Sequence, residues 1–241
     1  MTINVLLCDL FPGLLPDDIP TYVSMFEKLF TSIDCEVQLQ TYLAWEGDLP
    51  DTADPDALYL IPGSRAGAYE DLPWIQKLIA WIQKADALKL HLAGVCFGHQ
   101  VIAQALGGTV APSAKGWGAG IRVSQVVDPE SASYFPGRTM ALFYNHHDQV
   151  MNLPPRAVRV ATSSFCPNES FRIDNHILTF QGHPEYTAHY ARYLIKNHAE
   201  QEPQEVKLAA LHSIETLQAQ GQVAARMMLD MVRNRGFVTL L

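Results

Sequence analysis

The sequence lacks three features that would each point to a definite class of protein: a long apolar run, a basic cluster and paired cysteines. Its net charge is −8 and its Lys and Arg residues are scattered, so we expect no nucleic-acid partner. The opening segment MTINVLLCDL has no basic region, and no apolar run approaches about 18 residues, so we expect no membrane association and a cytoplasmic location. The four cysteines, Cys8, Cys35, Cys96 and Cys166, show no CxxC spacing, which predicts free thiols in a reducing compartment.

The chain is nevertheless rich in core-forming residues. It has 241 residues, of which 48% are hydrophobic and 17% are charged. That length and composition are ordinary for one α/β domain, and we interpret residues 1–241 as a single domain. A core of that size needs no disulfide or metal to stabilise it.

Strands and helices alternate in the first half of the sequence. Strand patterns occur in INVLLCDL, CEVQLQTY, DALYLIPG and KLHLAGVC, with CEVQLQTY alternating as a half-buried strand does. Helical patterns occur between and after them, ending with GHQVIAQALGG. Short links between such elements favour right-handed crossovers. The first half therefore predicts an open, mostly parallel sheet flanked by helices.

The second half changes character twice. Residues 117–182 hold short strand patterns separated by Pro, Gly, Asn and Asp (GIRVSQVV, TMALFY, AVRVATSS, SFRI and ILTF), which predict a small antiparallel extension. From about residue 187 the pattern is helical, and we expect these C-terminal helices to pack on the same domain.

The segment AGVCFGHQ, residues 93–100, places Cys96 between a predicted strand and a predicted helix. A tight strand-to-helix turn forces its central residue into a strained conformation, and a glycine on each side permits the crowding. The side chain then points out at the carboxyl edge of the sheet, where the helix N-terminus favours a thiolate over a thiol. We interpret Cys96 as a nucleophile, and the alternative is an ordinary buried thiol.

A thiol nucleophile needs a base. His91 lies inside a predicted strand, and His99 lies in the first helical turn, pointing away from the thiol. His183, in TFQGHPEY, follows a strand in a Gly- and Pro-bounded loop, and Glu185 comes two residues later. A carboxylate at that spacing can accept the second imidazole N–H and fix the tautomer. We therefore predict His183 as base and Glu185 as the group that orients it.

The segment YLIPGSRAGAY, residues 59–69, offers an oxyanion hole. A strand that ends in Pro-Gly presents backbone N–H groups without obstruction. The amide of Gly63 or Ser64, together with that of Phe97, would bind the oxyanion. A plain strand-to-helix turn is the alternative interpretation of this segment.

Taken together, these segments resemble the class I (Triad) glutamine amidotransferase family. GVCFGHQ is similar to its nucleophile motif, QGHPE to its His/Glu motif, and LIPGS lies where its oxyanion loop falls. YNHHDQV, residues 144–150, resembles the SHGDxV segment of the GMP-synthase branch, with Asn145 and His147 in place of Ser and Gly. The resemblance runs from about residue 57 to 190 and implies a flavodoxin-like α/β fold.

The resemblance implies a reaction as well. Cys96 would attack the γ-carbonyl of a glutaminyl group, form a γ-glutamyl thioester and release ammonia or an amine, and water would then release glutamate. Gln100 and the segment Asn145, His146, His147 and Asp148 would hold the amino-acid end of the substrate. The last three could also be read as a metal cluster, but neighbouring side chains in a loop seldom ligate one ion without further ligands. No metal or organic cofactor is implied.

Three functions remain open from the sequence. No G-x-x-x-x-G-K-[ST] phosphate loop occurs, so nothing predicts an ATP-binding unit in the chain. The first function is a stand-alone hydrolase of glutamine or a small γ-glutamyl compound, as in the γ-glutamyl peptidases of the same branch. The second is a glutaminase subunit that passes ammonia to a separate ATP-dependent synthetase. The third is a non-catalytic binding or regulatory module, against which the complete Cys, His and Glu set argues. The oligomeric state is not predicted.

Overall fold

The computed structural model describes residues 1–9, 16, 18–197 and 202–237. The strands are β1 (Thr2–Leu7), β2 (Gln38–Leu43), β3 (Leu58–Ile61), β4 (His91–Val95), β5 (Thr109–Pro112), β6 (Gly118–Val126), β7 (Thr139–His146), β8 (Asp148–Asn152), β9 (Ala157–Thr162), β10 (Ser170–Ile173) and β11 (Ile177–Phe180). The helices are α1 (Tyr22–Thr31), α2 (Pro73–Ala87), α3 (Phe97–Ala105), α4 (Pro129–Ala132), α5 (Ala188–Asn197), α6 (Gln204–Thr216) and α7 (Gly221–Arg233).

Nine strands form one twisted sheet in the order β2-β1-β3-β4-β11-β10-β9-β6-β7. Strands β2, β1, β3, β4 and β11 are parallel to one another, and β10, β9, β6 and β7 extend the sheet in antiparallel pairs. The predicted open sheet with a parallel part and an antiparallel extension is confirmed.

Two details of the second half differ from the sequence prediction. ILTF, predicted in the antiparallel extension, is β11, which pairs in parallel with β4 and joins the two parts of the sheet. Strands β5 and β8 form a separate two-stranded antiparallel sheet that the strand patterns did not reveal. The segment 145–148 therefore belongs mainly to strands rather than to a loop, with His147 alone between β7 and β8.

Core residues fill both faces of the sheet. On one face, Val5 of β1 packs with Phe26 and Phe30 of α1 and with the methionines of α7. On the other, Leu6 of β1 packs with apolar residues of α2 and α3. The methionine stripe of α7 is fully buried at Met227, Met228 and Met231, so it belongs to the core.

The cysteines occupy different environments. Cys8, Cys96 and Cys166 are buried, and the structure contains no disulfide among the described residues. Cys35, which the sequence placed in a strand, lies exposed in the turn before β2. None of the described helices has the length and apolar character needed to span a bilayer.

The C-terminal helices close the outer edge of β7. Between α6 and α7, the amide of Gln220 donates to the carbonyl of Ala141 at 2.7 Å, and the Gln220 side-chain oxygen accepts from the Ala141 amide at 2.8 Å. Two residues along the same edge, the carbonyl of Phe143 accepts from the amide of His183 at 2.7 Å. Gly221 lies against the His183 loop so closely that a Cβ there would be 2.0 Å from the carbonyl oxygen of Pro184. The C-terminal helices therefore support the loop that contains His183.

Candidate active site

Cys96 occupies the turn between β4 and α3. Its φ is 53° and its ψ is −103°, a conformation that residues with a side chain seldom adopt. Its amide donates to the carbonyl of Phe180 at 2.9 Å, so the end of β11 holds the turn in place. The predicted strained turn at the start of a helix is confirmed, and the side chain is only 8% exposed.

The glycines on either side of Cys96 are required by close backbone approach. A Cβ at Gly94 would lie 2.6 Å from the carbonyl oxygen of Gly98, and a Cβ at Gly98 would lie 1.9 Å from that of Ile61. The amide of Gly98 donates to the carbonyl of Pro62 at 3.1 Å. The turn therefore packs directly against the end of β3.

The register of the two central strands brings the His183 loop to the same edge. Phe180 of β11 is opposite Val95 of β4 in a parallel pair, so the residues that follow each strand emerge side by side. His183 is 1% exposed and Glu185 is 3% exposed. Nδ1 of His183 and Oε1 of Glu185 are 2.7 Å apart, the arrangement expected if the carboxylate accepts the ring N–H. Nε2 and the second carboxylate oxygen are buried without a hydrogen-bond partner among the described residues.

Two neighbouring side chains act on the His183 ring. Burial by itself lowers the pKa of His183, but Glu185 and Cys96 outweigh burial and raise the pKa to about 10. The imidazolium form therefore persists at neutral pH. The structure thus brings together the three side chains predicted from distant segments.

The predicted oxyanion loop lies beside the same ring. A Cβ at Gly63 would be 3.2 Å from Cε1 of His183. Within the described residues, the backbone amides of Gly63, Ser64 and Phe97 donate no hydrogen bond, which leaves them available to an anion. The Ser64 hydroxyl instead accepts from the amide of Ala66 at 3.1 Å.

An ion pair anchors that loop to the end of β1. Arg65 donates to the carboxylate of Asp9 through its backbone amide at 3.0 Å and through Nε and a terminal nitrogen at 2.8 Å each. A bidentate guanidinium–carboxylate pair fixes direction as well as distance. Sequence reasoning did not identify this pair, since its members are 56 positions apart.

Gln100 is buried and already engaged within the protein. Its side-chain nitrogen donates to the carbonyl of Asp148 at 2.8 Å and to the side-chain oxygen of Gln181 at 3.1 Å. These bonds tie α3 to the start of β8 and to the segment before His183. Direct contact between Gln100 and substrate remains a prediction.

The segment 145–148 lies across the end of β7. Asn145 is half-buried and His146 is buried, with Nδ1 of His146 2.9 Å from the carbonyl oxygen of Asp148. His147 is more exposed, and its ring centroid is 5.6 Å from that of Trp117. No group of three or more His, Cys, Asp or Glu side chains in the described part of the chain is arranged to hold a metal ion.

The rings of the other two histidines considered as bases, His91 and His99, each contact a different polar group. Nδ1 of His99 is 2.8 Å from the Thr179 hydroxyl, and burial lowers its pKa to about 3. Nδ1 of His91 is 3.1 Å from the carbonyl oxygen of Pro55. Neither ring has the carboxylate partner that His183 has.

A cluster of three tyrosines around His183 was missed by sequence reasoning. Tyr186 stacks on the His183 ring with centroids 3.9 Å apart and planes inclined by 14°. Its hydroxyl is 2.9 Å from that of Tyr22, and Tyr190 contacts both rings edge-on. The adjacency of Tyr186 to Glu185 was the one available signal.

The chain is similar to a known family over most of its length. Residues 14–201 match the family model described as glutamine amidotransferase class-I. Gamma-glutamyl peptidase 3 of Arabidopsis thaliana is 36% identical over 149 residues, which are 58% of this chain and 60% of that relative. Gamma-glutamyl peptidase 4 of the same plant is 35% identical over 172 residues, 67% and 68% of the two chains.

A solved structure has the same fold over nearly the whole chain. The crystal structure of a glutamine amidotransferase from Thermotoga maritima gives a TM-score of 0.72 and covers 97% of this chain and 96% of that one. Sequence identity between the two is 21%. A likeness over that share of the chain includes the C-terminal helices.

Proposed function

This chain belongs to the class I glutamine amidotransferase family, and we propose that it hydrolyses the γ-amide of glutamine or of a small γ-glutamyl compound through a covalent intermediate on Cys96. The observation that carries the proposal is the buried His183–Glu185 pair at 2.7 Å beside a cysteine on a strained turn. That arrangement is an activated nucleophile with an oriented proton carrier.

In the first half of the reaction, the Cys96 thiolate attacks the γ-carbonyl carbon and the carbonyl oxygen becomes an oxyanion. The amides of Gly63 or Ser64 and of Phe97 stabilise that charge. The tetrahedral intermediate collapses as the imidazolium of His183 gives its Nε2 proton to the departing nitrogen. The products of this step are a γ-glutamyl thioester, ammonia or an amine, and a neutral imidazole.

In the second half, the neutral imidazole of His183 takes a proton from water as the water oxygen attacks the thioester. The second intermediate expels the thiolate and leaves a γ-carboxyl group, which loses its proton to solvent. Glu185 keeps its hydrogen bond to Nδ1 throughout, so the imidazolium is stabilised each time it forms. The thiolate–imidazolium pair is thereby restored.

Hydrolysis without a partner is favoured by the names of the relatives. Two of the similar proteins are called γ-glutamyl peptidases, a name that describes cleavage of a γ-glutamyl bond. The second candidate is a glutaminase subunit for a separate synthetase, consistent with the lack of a phosphate-loop motif. Activity of the isolated chain distinguishes the two.

The test begins with glutamate release from glutamine and from a set of γ-glutamyl dipeptides by the purified chain. A diazo-ketone analogue of glutamine should label wild-type protein once, on Cys96. Cys96→Ala should lose both labelling and hydrolysis, whereas Cys35→Ala, which removes the exposed thiol, should keep both. Full hydrolysis by Cys96→Ala would overturn the mechanism. Glutamate release that appears only after a synthetase is added would favour the subunit function.

A further inference from the structure

The ring of Tyr186 is stacked against His183 in a geometry that suits a cation. The two ring centroids are 3.9 Å apart, and the ring planes are nearly parallel, inclined by 14°. Two neutral aromatic rings prefer offset or edge-to-face contact, because the faces of both carry negative potential. A positively charged ring is attracted to the face of a tyrosine.

Both rings are held in place from outside the loop. The Tyr22 hydroxyl of α1 is 2.9 Å from the Tyr186 hydroxyl, and the edge of Tyr190 packs on Tyr186 with centroids 4.7 Å apart. Gly63 lies against the Cε1 edge of His183, so that even a methyl group there would crowd the imidazole at 3.2 Å. The stack therefore cannot slide without moving α1 or the oxyanion loop.

The other titratable rings near His183 carry no charge that would act on it. Burial raises the pKa of Tyr22, Tyr186 and Tyr190, so all three are neutral. Burial lowers the pKa of His146 to about 3, so that ring is neutral too. Among the described residues, the groups that raise the pKa of His183 are therefore Glu185 and Cys96.

We propose that Tyr186 is a positioning residue, whose π face holds His183 as an imidazolium opposite Cys96. The inference rests on the proposed function of Cys96 and His183. It adds that the thiolate–imidazolium pair depends on an aromatic face as well as on Glu185. Removal of the aromatic face of Tyr186 should therefore shift the equilibrium of Cys96 and His183 towards the neutral thiol and the neutral imidazole.

The experiment measures alkylation of Cys96 by iodoacetamide against pH, with each cysteine followed by peptide mass spectrometry. The exposed Cys35 serves as an internal reference in every sample. Tyr186→Leu should move the midpoint of the Cys96 profile upward by about one pH unit. Tyr186→Phe, which keeps the ring face, should restore the wild-type midpoint, and the Cys35 profile should stay fixed throughout.

Replacement of Tyr186 by pentafluorophenylalanine covers the case in which Tyr186→Leu fails to fold. That residue keeps the size of the ring and reverses the sign of its face, so the midpoint should rise as it does for leucine. An unchanged midpoint in a folded Tyr186→Leu or fluorinated variant would overturn the proposal. Equal shifts in Tyr186→Phe and Tyr186→Leu would also overturn it, because they would assign the effect to the hydroxyl.

Glutamate release is measured on the same preparations. If the alkylation profiles behave as expected and no γ-glutamyl compound is hydrolysed, the role of Tyr186 stands and the proposed function fails. If hydrolysis is found and the profiles do not respond to the ring, the function stands and the role of Tyr186 fails.

Discussion

Glu185 and His183 form a buried pair in which a carboxylate oxygen lies 2.7 Å from Nδ1 of the imidazole. The pair is enclosed by β7, α1 and the loop that contains Gly63, and it is shielded from solvent. The pKa of His183 therefore depends on the position of the Glu185 carboxylate, which the fold fixes. That pKa sets the pH range in which the ring carries a proton that it can donate.

The first prediction concerns the alkaline limit of activity. The proposed mechanism needs the imidazolium of His183, whose pKa is raised to about 10, so kcat/KM should fall as the pH rises through about 10. Glu185→Gln removes the negative charge that contributes most to raising the pKa of His183. The alkaline limb of the kcat/KM profile should therefore move to lower pH. We also expect kcat/KM at neutral pH to fall about 10²- to 10⁴-fold. Profiles of kcat/KM for the two proteins test this, and superimposable alkaline limbs would contradict it.

The second prediction concerns the strained turn. At φ 53° and ψ −103°, Cys96 has a conformation that glycine adopts with little strain. Cys96→Gly should therefore be more stable than Cys96→Ala by about 1 kcal/mol or more. Both variants remove the thiol, so the difference isolates the backbone. Urea unfolding measures it, and an alanine variant of equal or greater stability would show that the turn is not strained.

The third prediction concerns the support behind the His183 loop. In Gly221→Ala the new methyl group would lie 2.0 Å from the carbonyl oxygen of Pro184, so the loop must move. We expect kcat/KM to fall about 10²-fold, the cost of a small displacement of a reacting group. Gly116→Ala is the control: its φ is +76° and open space surrounds it, so it should cost stability without changing kcat/KM. Full activity in a folded Gly221→Ala protein would show that the loop tolerates the shift.

The fourth prediction concerns a charge network at the opposite end of the strands. Asp86 accepts hydrogen bonds from Arg156 and is 2.8 Å from Nε2 of His176. Burial alone would raise the pKa of Asp86, but Arg156 and His176 lower it below its usual value. Its stabilising effect should be complete above the pKa of an unfolded aspartate and should be lost as the pH falls through the lowered pKa.

Asp86→Asn should accordingly lower the free energy of unfolding at pH 7 by about 1 kcal/mol. The difference from wild type should shrink as the pH falls towards the lowered pKa of Asp86, because the wild-type carboxyl then becomes neutral as well. Asp174→Asn, which changes a more exposed partner of Arg156, should have a smaller effect. Thermal unfolding between pH 7 and pH 3 measures both variants, and a difference that grew in acid would refute the assignment.

Local patterns were sufficient to predict the strained turn at Cys96 and the pairing of His183 with Glu185. The pattern of a glycine on each side of Cys96 is visible within five residues, and the spacing of His183 and Glu185 is likewise local. Parallel strands place such loops at one edge of the sheet, so the meeting of Cys96 and His183 followed from the predicted fold.

Features that depend on distant pairing were not predictable from the same patterns. ILTF has the same strand pattern whether its neighbours are parallel or antiparallel, so its central place in the sheet was missed. Strand β8 is a short segment with polar residues at Asp148, Gln149 and Asn152, and its pairing with β5 overrides its weak strand propensity. Tyr22 and Tyr186 are 164 positions apart, and only the packing of α1 against the His183 loop brings them together.

The closure of the β7 edge links the position of His183 to the protection of the sheet against self-association. An unpaired strand at the margin of a sheet can recruit a strand from another molecule. In this protein the β7 edge is blocked by Gln220 and by the main chain of His183. Any change that dislodges the histidine therefore also bares backbone groups that can bind a second copy. If His183 has the proposed role, such variants should lose activity and aggregate together, so the His183 loop also protects the protein against self-association.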